Sequence, residues 1–398
     1  MSQKAVEKAL SFLEDCTLNE ECLEAHFSDI LSAWWNIGTF PRRRKYALSM
    51  MRSEGIINGL KHDLKDLSKC VNKGNSQCSI SLVLTLFNAK RYGLQVPLGA
   101  PAPSTADSTD YEVNYRVLEK AVVRGLKEMA PWHDQGIYED IPSGSMDFLL
   151  VITWAAKRIG LRLGPAWEHE RILGLVKHLR PYRLPSTGMG ANEYMMSKSN
   201  TMMVLHIVYV TGEFGLTRVS TKSLEGEFNY LFQTLEVATH FNDFELVGEI
   251  LDALDVAGVK ENPLEGGRAP SPNLLEQSKS VLLNSQNADG TWGDQFDMHT
   301  HYVSILGLMK RDLAGVSPQA VRNERPVATF NFGEGGGLSN EAYWDYANSI
   351  LSDSDTDAAV SSHSFPFLLV VFVVALFSIV GYKKGKFCVK DSSKRRIS

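Results

Sequence analysis

Basic charge, cysteine and strand-like alternation are all scarce in this chain, and each shortage removes a class of protein. Lys and Arg number 41 against 46 Asp and Glu, a formal net charge of −5. Residues 383–398 hold seven Lys and Arg against Asp391 alone, so this tail carries about +6 and about −11 is left on everything before it. Phosphate binding needs a basic face, so nucleic acid is not an expected partner of the main part. The five cysteines, Cys16, Cys22, Cys70, Cys78 and Cys388, are odd in number and form no Cys-x-x-Cys. That usage reads as a reducing compartment. Cys70 and Cys78 stand near enough in sequence to bridge in a luminal domain, but nothing in the sequence requires it. The opening MSQKAVEKAL is amphipathic and has no uninterrupted apolar core, so no secretory signal is expected and the mature chain is expected to begin near Met1. The glycine cluster Gly333 to Gly337 lacks the Lys-Ser/Thr of a phosphate loop and is read as a flexible turn.

Few segments alternate with period two, whereas helical periodicity recurs along most of the chain. Val6, Leu10 and Leu13, then Leu23, Phe27, Ile30, Leu31 and Trp34, predict a first hairpin that ends at Pro41 and the solvated cluster Arg42 to Lys45. Helices are then expected over about 46–67, 79–92, 111–129, 146–159, 167–179, 193–211, 224–239, 244–256, 273–285 and 297–313. The stretch 97–109 is rich in Pro, Ala, Ser and Thr and reads as a linker or loop between N-terminal hairpins (1–96) and a helical core (110–325). With 398 residues and 44% hydrophobic content there is material for one large ring-like fold. The expectation is all-α: an α/α toroid of helical hairpins, or an α-solenoid, which gives the same periodicity.

One stretch separates these two. Gln286-Asn287-Ala288-Asp289-Gly290-Thr291-Trp292-Gly293 is a turn in which Gly290 accepts positive φ and Asp289 can bond the backbone just ahead. Trp292 supplies apolar surface and one N–H, and Gln286 is expected to reach the N–H groups that open the next helix. This block resembles the Gln-x-x-Asp-Gly-x-Trp-Gly repeat of the α/α-toroid superfamily, which includes triterpene cyclases and protein prenyltransferase β subunits. His299-Thr300-His301-Tyr302 is similar to the prenyltransferase His-Thr-x-Tyr segment, and the resemblance implies a zinc-ligating role for His299 and a cavity position for Tyr302. The chain has neither the Asp-x-Cys-Tyr that completes the prenyltransferase zinc site nor the Asp-x-Asp-Asp acid motif of the cyclases, since Asp252-Ala253-Leu254-Asp255 has another spacing. His299 and His301 lie about 200° apart on a helix and cannot share one metal from regular structure.

Two further groups carry chemistry-bearing residues. His206 and His240 interrupt apolar helical stretches, and Asp243, Glu245 and Glu249 follow His240. Facing a toroid's cavity, such histidines and carboxylates would serve as catalytic base and acid. The loop Trp132 to Asp140 sets carboxylates beside aromatics, the pattern of a sugar platform, although an ordinary surface loop accounts for it as well.

After a Gly-, Ser- and Asp-rich spacer (326–364), Phe365 to Tyr382 contains no charge and would span about 27 Å at ~1.5 Å per residue, close to a bilayer's hydrocarbon core. A single C-terminal transmembrane helix with a basic tail (383–398) is expected. Post-translational insertion would leave the main domain in the cytosol, anchored to a mitochondrial outer, peroxisomal or endoplasmic-reticulum membrane. The positive-inside rule argues the other way. Two functions follow as expectations: an enzyme acting on, or a protein binding, an isoprenoid or other lipid beside the membrane, or a non-catalytic helical-repeat scaffold with a protein ligand.

Overall fold

The computed structural model describes residues 2–91, 115–136, 141–215, 219–259, 273–293 and 297–310. The expected linker 97–109, the spacer 326–364, the apolar run 365–382 and the basic tail lie outside the described residues. Within them there are fifteen α-helices and no strand, as the periodicity predicts. They are α1 (Ser2–Leu18), α2 (Glu20–Ala25), α3 (Phe27–Gly38), α4 (Arg44–Met51), α5 (Glu54–Asn72), α6 (Ser76–Arg91), α7 (Tyr115–Met129), α8 (Pro131–Asp134), α9 (Ser143–Ile159), α10 (His169–Gly174), α11 (Ala191–Thr211), α12 (Glu225–Phe241), α13 (Phe244–Val256), α14 (Leu274–Asn284) and α15 (Met298–Leu308). Among the described residues no helix is long and apolar enough to cross a membrane.

Two kinds of helix occur along the chain. In α1, α5, α7 and α14 only one stripe is buried; in α5 it is Ile56, Leu60, Leu64, Ser68 and Val71, the spacing of a helix with one face to water. In α3, α9, α13 and α15 nearly every residue of the central turns is buried, Leu149 to Ala156 and Leu246 to Leu254 without a break. Such helices are enclosed on all sides. The enclosed helices also touch one another in succession: α6 packs on α9, α9 on α11, α11 on α13, α13 on α15, and α15 on α3.

Side-chain pairs fix their directions. Ser143 meets Ser199 near the start of α9 and Arg158 meets Glu213 at its end, so α9 and α11 run the same way. Lys198 with Glu245, then Tyr209 with Asp252, sets α11 and α13 in the same sense. The first described helix also returns to the last, because α1 packs on α15, with His301 Nε2 donating to the Ala9 carbonyl at 3.1 Å. Helices α13 and α15 approach backbone to backbone: a Cβ on Gly248 would lie 2.5 Å from the Val303 carbonyl oxygen, and one on Gly307 2.8 Å from that of Gly248. Only glycine fits either position.

Several boundaries differ from the sequence expectation for local reasons. The helix expected over 46–67 is two, α4 and α5, because the chain turns at Arg52 and Ser53 takes an extended N-cap conformation. The segment 167–179 breaks into α10 between two short 3₁₀ turns, Pro165–Trp167 and Leu175–His178. Arg43 is not merely solvated, since it pairs with Glu7 of α1. Trp132 and His133 belong to the single-turn α8: His133 is buried, its Nε2 meets the Ala166 carbonyl at 2.7 Å and its ring lies 4.6 Å from Trp167.

The cysteines give the largest correction. Cys16 is bonded to Cys22 and Cys70 to Cys78, with Cα–Cα separations of 5.2 and 5.9 Å. Each pair flanks a short turn between consecutive helices, which brings together residues that sequence spacing alone left undecided.

Candidate functional site

The turn after α14 fixes how α15 enters the core. Gly290 has φ of 102°, and Asp289 Oδ1 accepts from Thr291 N and Oγ1 at 2.9 and 2.7 Å, the bonds expected of it. Trp292 is buried, and its indole N–H donates to the Leu282 carbonyl at 2.7 Å, satisfying an acceptor in the last turn of α14. Gln286 does not reach the N–H groups of α15. Its amide nitrogen donates instead to the carbonyls of Gly290 and of Ala5, both at 3.0 Å, tying the turn to α1. The N-terminus of α15 is capped by Asp297, which accepts from the amides of His299 and Thr300.

His299, in that first turn, is the centre of a buried polar cluster. Its Nε2 lies 3.1 Å from Glu249 Oε1 and 3.7 Å from Glu245 Oε1, and its Nδ1 lies 3.7 Å from Asp29 Oδ1. Tyr302, buried one turn on, sets its ring edge-on to the imidazole at 5.0 Å. Glu245 also takes the Lys198 ammonium at 2.7 Å, and Lys198 reaches Asp243 at 3.1 Å, where the Tyr194 hydroxyl donates at 2.9 Å. On the neighbouring pair of helices His206 Nδ1 meets Asp147 Oδ1. Five elements, α3, α9, α11, α13 and α15, therefore supply one group of acids and bases. Asp29, Asp243, Glu245 and Asp297 sit at or beside helix N-termini, where the partial positive charge of the peptide dipoles favours carboxylates.

The two histidines are held in opposite states. Burial alone would push the His299 pKa down, but the nearby Asp29 carboxyl, the hydrogen bond with Glu249 and the charges of Glu245 and Glu249 raise it well above the ordinary value. His206 is lowered well below it, first by burial and then by the positive charge of His299. Burial likewise raises Asp29 and Glu249, with His299 opposing the rise in both. The Tyr302 phenol is raised by burial and by the surrounding carboxylates, so it stays neutral. The surroundings thus favour the imidazolium at His299 and the neutral imidazole at His206, and the charge of the first adds to the lowering of the second. A proton acceptor and a proton donor stand together away from water.

A cleft of about 130 Å³, which no residue of this cluster lines, is bounded by Ser143, His178, Tyr182, Arg183, Asn200 and Met203 among others. Ser143 stands one turn before Asp147 on α9 and Met203 one turn before His206 on α11, so the cleft lies a helical turn from the Asp147–His206 pair.

Of the residues singled out by sequence, His206, Glu245 and His299 come together with Tyr302, and Asp243 joins through Lys198. His240 does not. It falls in the last turn of α12, just before the left-handed Asn242, and is exposed with its ring against Phe241. Gln286, Asp289, Gly290 and Trp292 serve the turn and not the cluster. The zinc expected at His299 has no ligand set: among the described residues no three His, Cys, Asp or Glu are placed to hold a metal ion. His299 and His301 do face opposite ways, as the 200° separation predicts. Sequence reasoning missed Asp29, Asp147 and Lys198. The two aspartates each interrupt a long apolar helix, FSDILSAWW and SMDFLLVITWAA, which was the available signal.

No family model, curated protein or solved structure matches the chain.

Proposed function

We propose that the protein is a membrane-anchored enzyme of the α/α-toroid type that carries out general acid–base chemistry on an isoprenoid or other lipid. The observation that carries the reading is the pair of buried histidines placed in opposite surroundings, His206 beside Asp147 with its pKa pushed down and His299 among three carboxyl groups with its pKa pushed up. Burying so many ionisable groups is costly to a fold, and a proton-transfer centre is a reason to retain them. In this reading Asp147 stands against Nδ1 of His206 and Nε2 is the basic nitrogen; the proton taken there is balanced by one delivered from the His299 imidazolium. Supporting the toroid are the presence of both enclosed and one-sided helices and the return of α1 to α15. The apolar run Phe365 to Tyr382 supports the anchor and, with it, a lipid substrate.

The test is product analysis with the full chain in vesicles of total lipid extract, in ²H₂O, read by mass spectrometry. A lipid that changes mass with the wild type and falls at least about 10²-fold with His206→Gln and with His299→Gln is the expected result. A second reading, a non-catalytic scaffold that binds another protein, draws on the close backbone contact of Gly248 and Gly307, which leaves little room between α13 and α15. No histidine-dependent change in any lipid would favour it.

A further inference from the structure

All four cysteines among the described residues are paired. Cys16 lies in the buried stripe of α1 and bonds Cys22 of α2 across the turn at Asn19, while Cys70 near the end of α5 bonds Cys78 of α6. Each Cα–Cα separation falls in the normal range for a disulfide, so neither bridge needs the backbone to move. Cys22, Cys70 and Cys78 are half-buried, not sunk in the core as inert thiols usually are. Two such pairs in one domain persist where the surroundings are oxidising and are reduced in the cytosol.

Charge gives a second and independent observation. The fifth cysteine, Cys388, lies six residues past Tyr382 in the tail that carries Lys383, Lys384, Lys386, Lys390, Lys394, Arg395 and Arg396. Before the apolar run the flank is acidic, with Asp353, Asp355 and Asp357. Lys and Arg within about 15–20 residues of a spanning segment favour the cytosolic side. Paired cysteines thus stand on one side of the run, and Cys388 stands among the basic residues on the other.

We propose that the helical domain lies on the oxidising, extracytoplasmic side of a membrane, stapled by Cys16–Cys22 and Cys70–Cys78, and that the basic tail with Cys388 lies in the cytosol. This reverses the cytosolic arrangement expected from the opening residues, and it rests on the membrane-anchor reading above. The acid–base centre then draws its substrate from the outer or luminal leaflet.

The experiment uses the full chain, tagged after Ser398, in intact eukaryotic cells. Free thiols are alkylated in acid before lysis, bridged thiols are reduced and given a second label, and both are located by mass spectrometry. Microsomes from the same cells are treated with protease from outside, and a further portion is extracted with alkaline carbonate. The proposal expects the second label on Cys16, Cys22, Cys70 and Cys78, the first on Cys388, and a protected helical domain with a digested tag. First label on the four domain cysteines, or digestion of the domain with a protected tag, overturns it. Release of the chain by carbonate overturns the anchor reading and the orientation with it, while the cysteine labels still report the compartment.

Discussion

Replacing Trp292 probes the join between α14, α15 and α1. Its side chain is buried at 1% exposure, so Trp292→Ala removes a large apolar body, at a cost of about 3–5 kcal/mol. The indole N–H also satisfies the Leu282 carbonyl at 2.7 Å, and leaving that buried acceptor bare adds roughly 1–3 kcal/mol. About 4–8 kcal/mol is therefore expected in all, a large part of the stability of most domains. Trp292→Phe separates the two contributions, because it keeps most of the apolar volume and loses the donor; its cost should be about 1–3 kcal/mol. Denaturant unfolding of the full chain in detergent, followed by far-ultraviolet circular dichroism, measures both. A loss below about 1 kcal/mol for Trp292→Ala, or equal losses for the two variants, would refute the reasoning.

Two more outcomes follow from the same geometry. His301 donates to Ala9 in the core and burial lowers its pKa to about 4, so below the ordinary value near 6.5 the unfolded chain binds a proton that the folded chain refuses. Stability is lost as pH falls through that window, by up to about 1.4 kcal/mol per unit from this group, and His301→Gln should flatten the fall by about 2–3 kcal/mol between pH 6.5 and 4 in unfolding titrations. Gly248→Ala, which puts a Cβ 2.5 Å from the Val303 carbonyl oxygen, should destabilise by about 1–3 kcal/mol, whereas Gly174→Ala, with nothing near its Cβ, should cost under about 1 kcal/mol in the same assay.

Helix content was legible because apolar periodicity is a local signal, and α13 begins and ends where the spacing predicts, at Phe244 and Val256. Breaks without Gly or Pro were not: Arg52-Ser53 looks like any polar pair inside a helix, yet it separates α4 from α5. In the site, His299 stood out through the resemblance of its segment to His-Thr-x-Tyr, and His206 as a polar residue in an apolar run. His240 carried the same mark, but three residues decided its fate, since Phe241-Asn242-Asp243 is a helix stop followed by a new cap and places His240 at an exposed end. Asp29 and Asp147 come from α3 and α9, more than fifty residues from their partners, and only tertiary packing shows which histidine each one meets. The disulfides escaped for a related reason: pairing depends on the angle between consecutive helices, and six or eight residues of separation permit it without requiring it.

The central claim is that the interior holds one charged and one neutral histidine. Nuclear magnetic resonance of the full chain with ¹³C,¹⁵N-labelled histidine, assigned through His206→Gln and His299→Gln, reads the two directly. The account predicts that His299 remains an imidazolium at pH 8 and that His206 remains neutral at pH 5.5, with His206 beginning to titrate at higher pH once His299 is replaced. Two histidines that both titrate near 6.5 would contradict it.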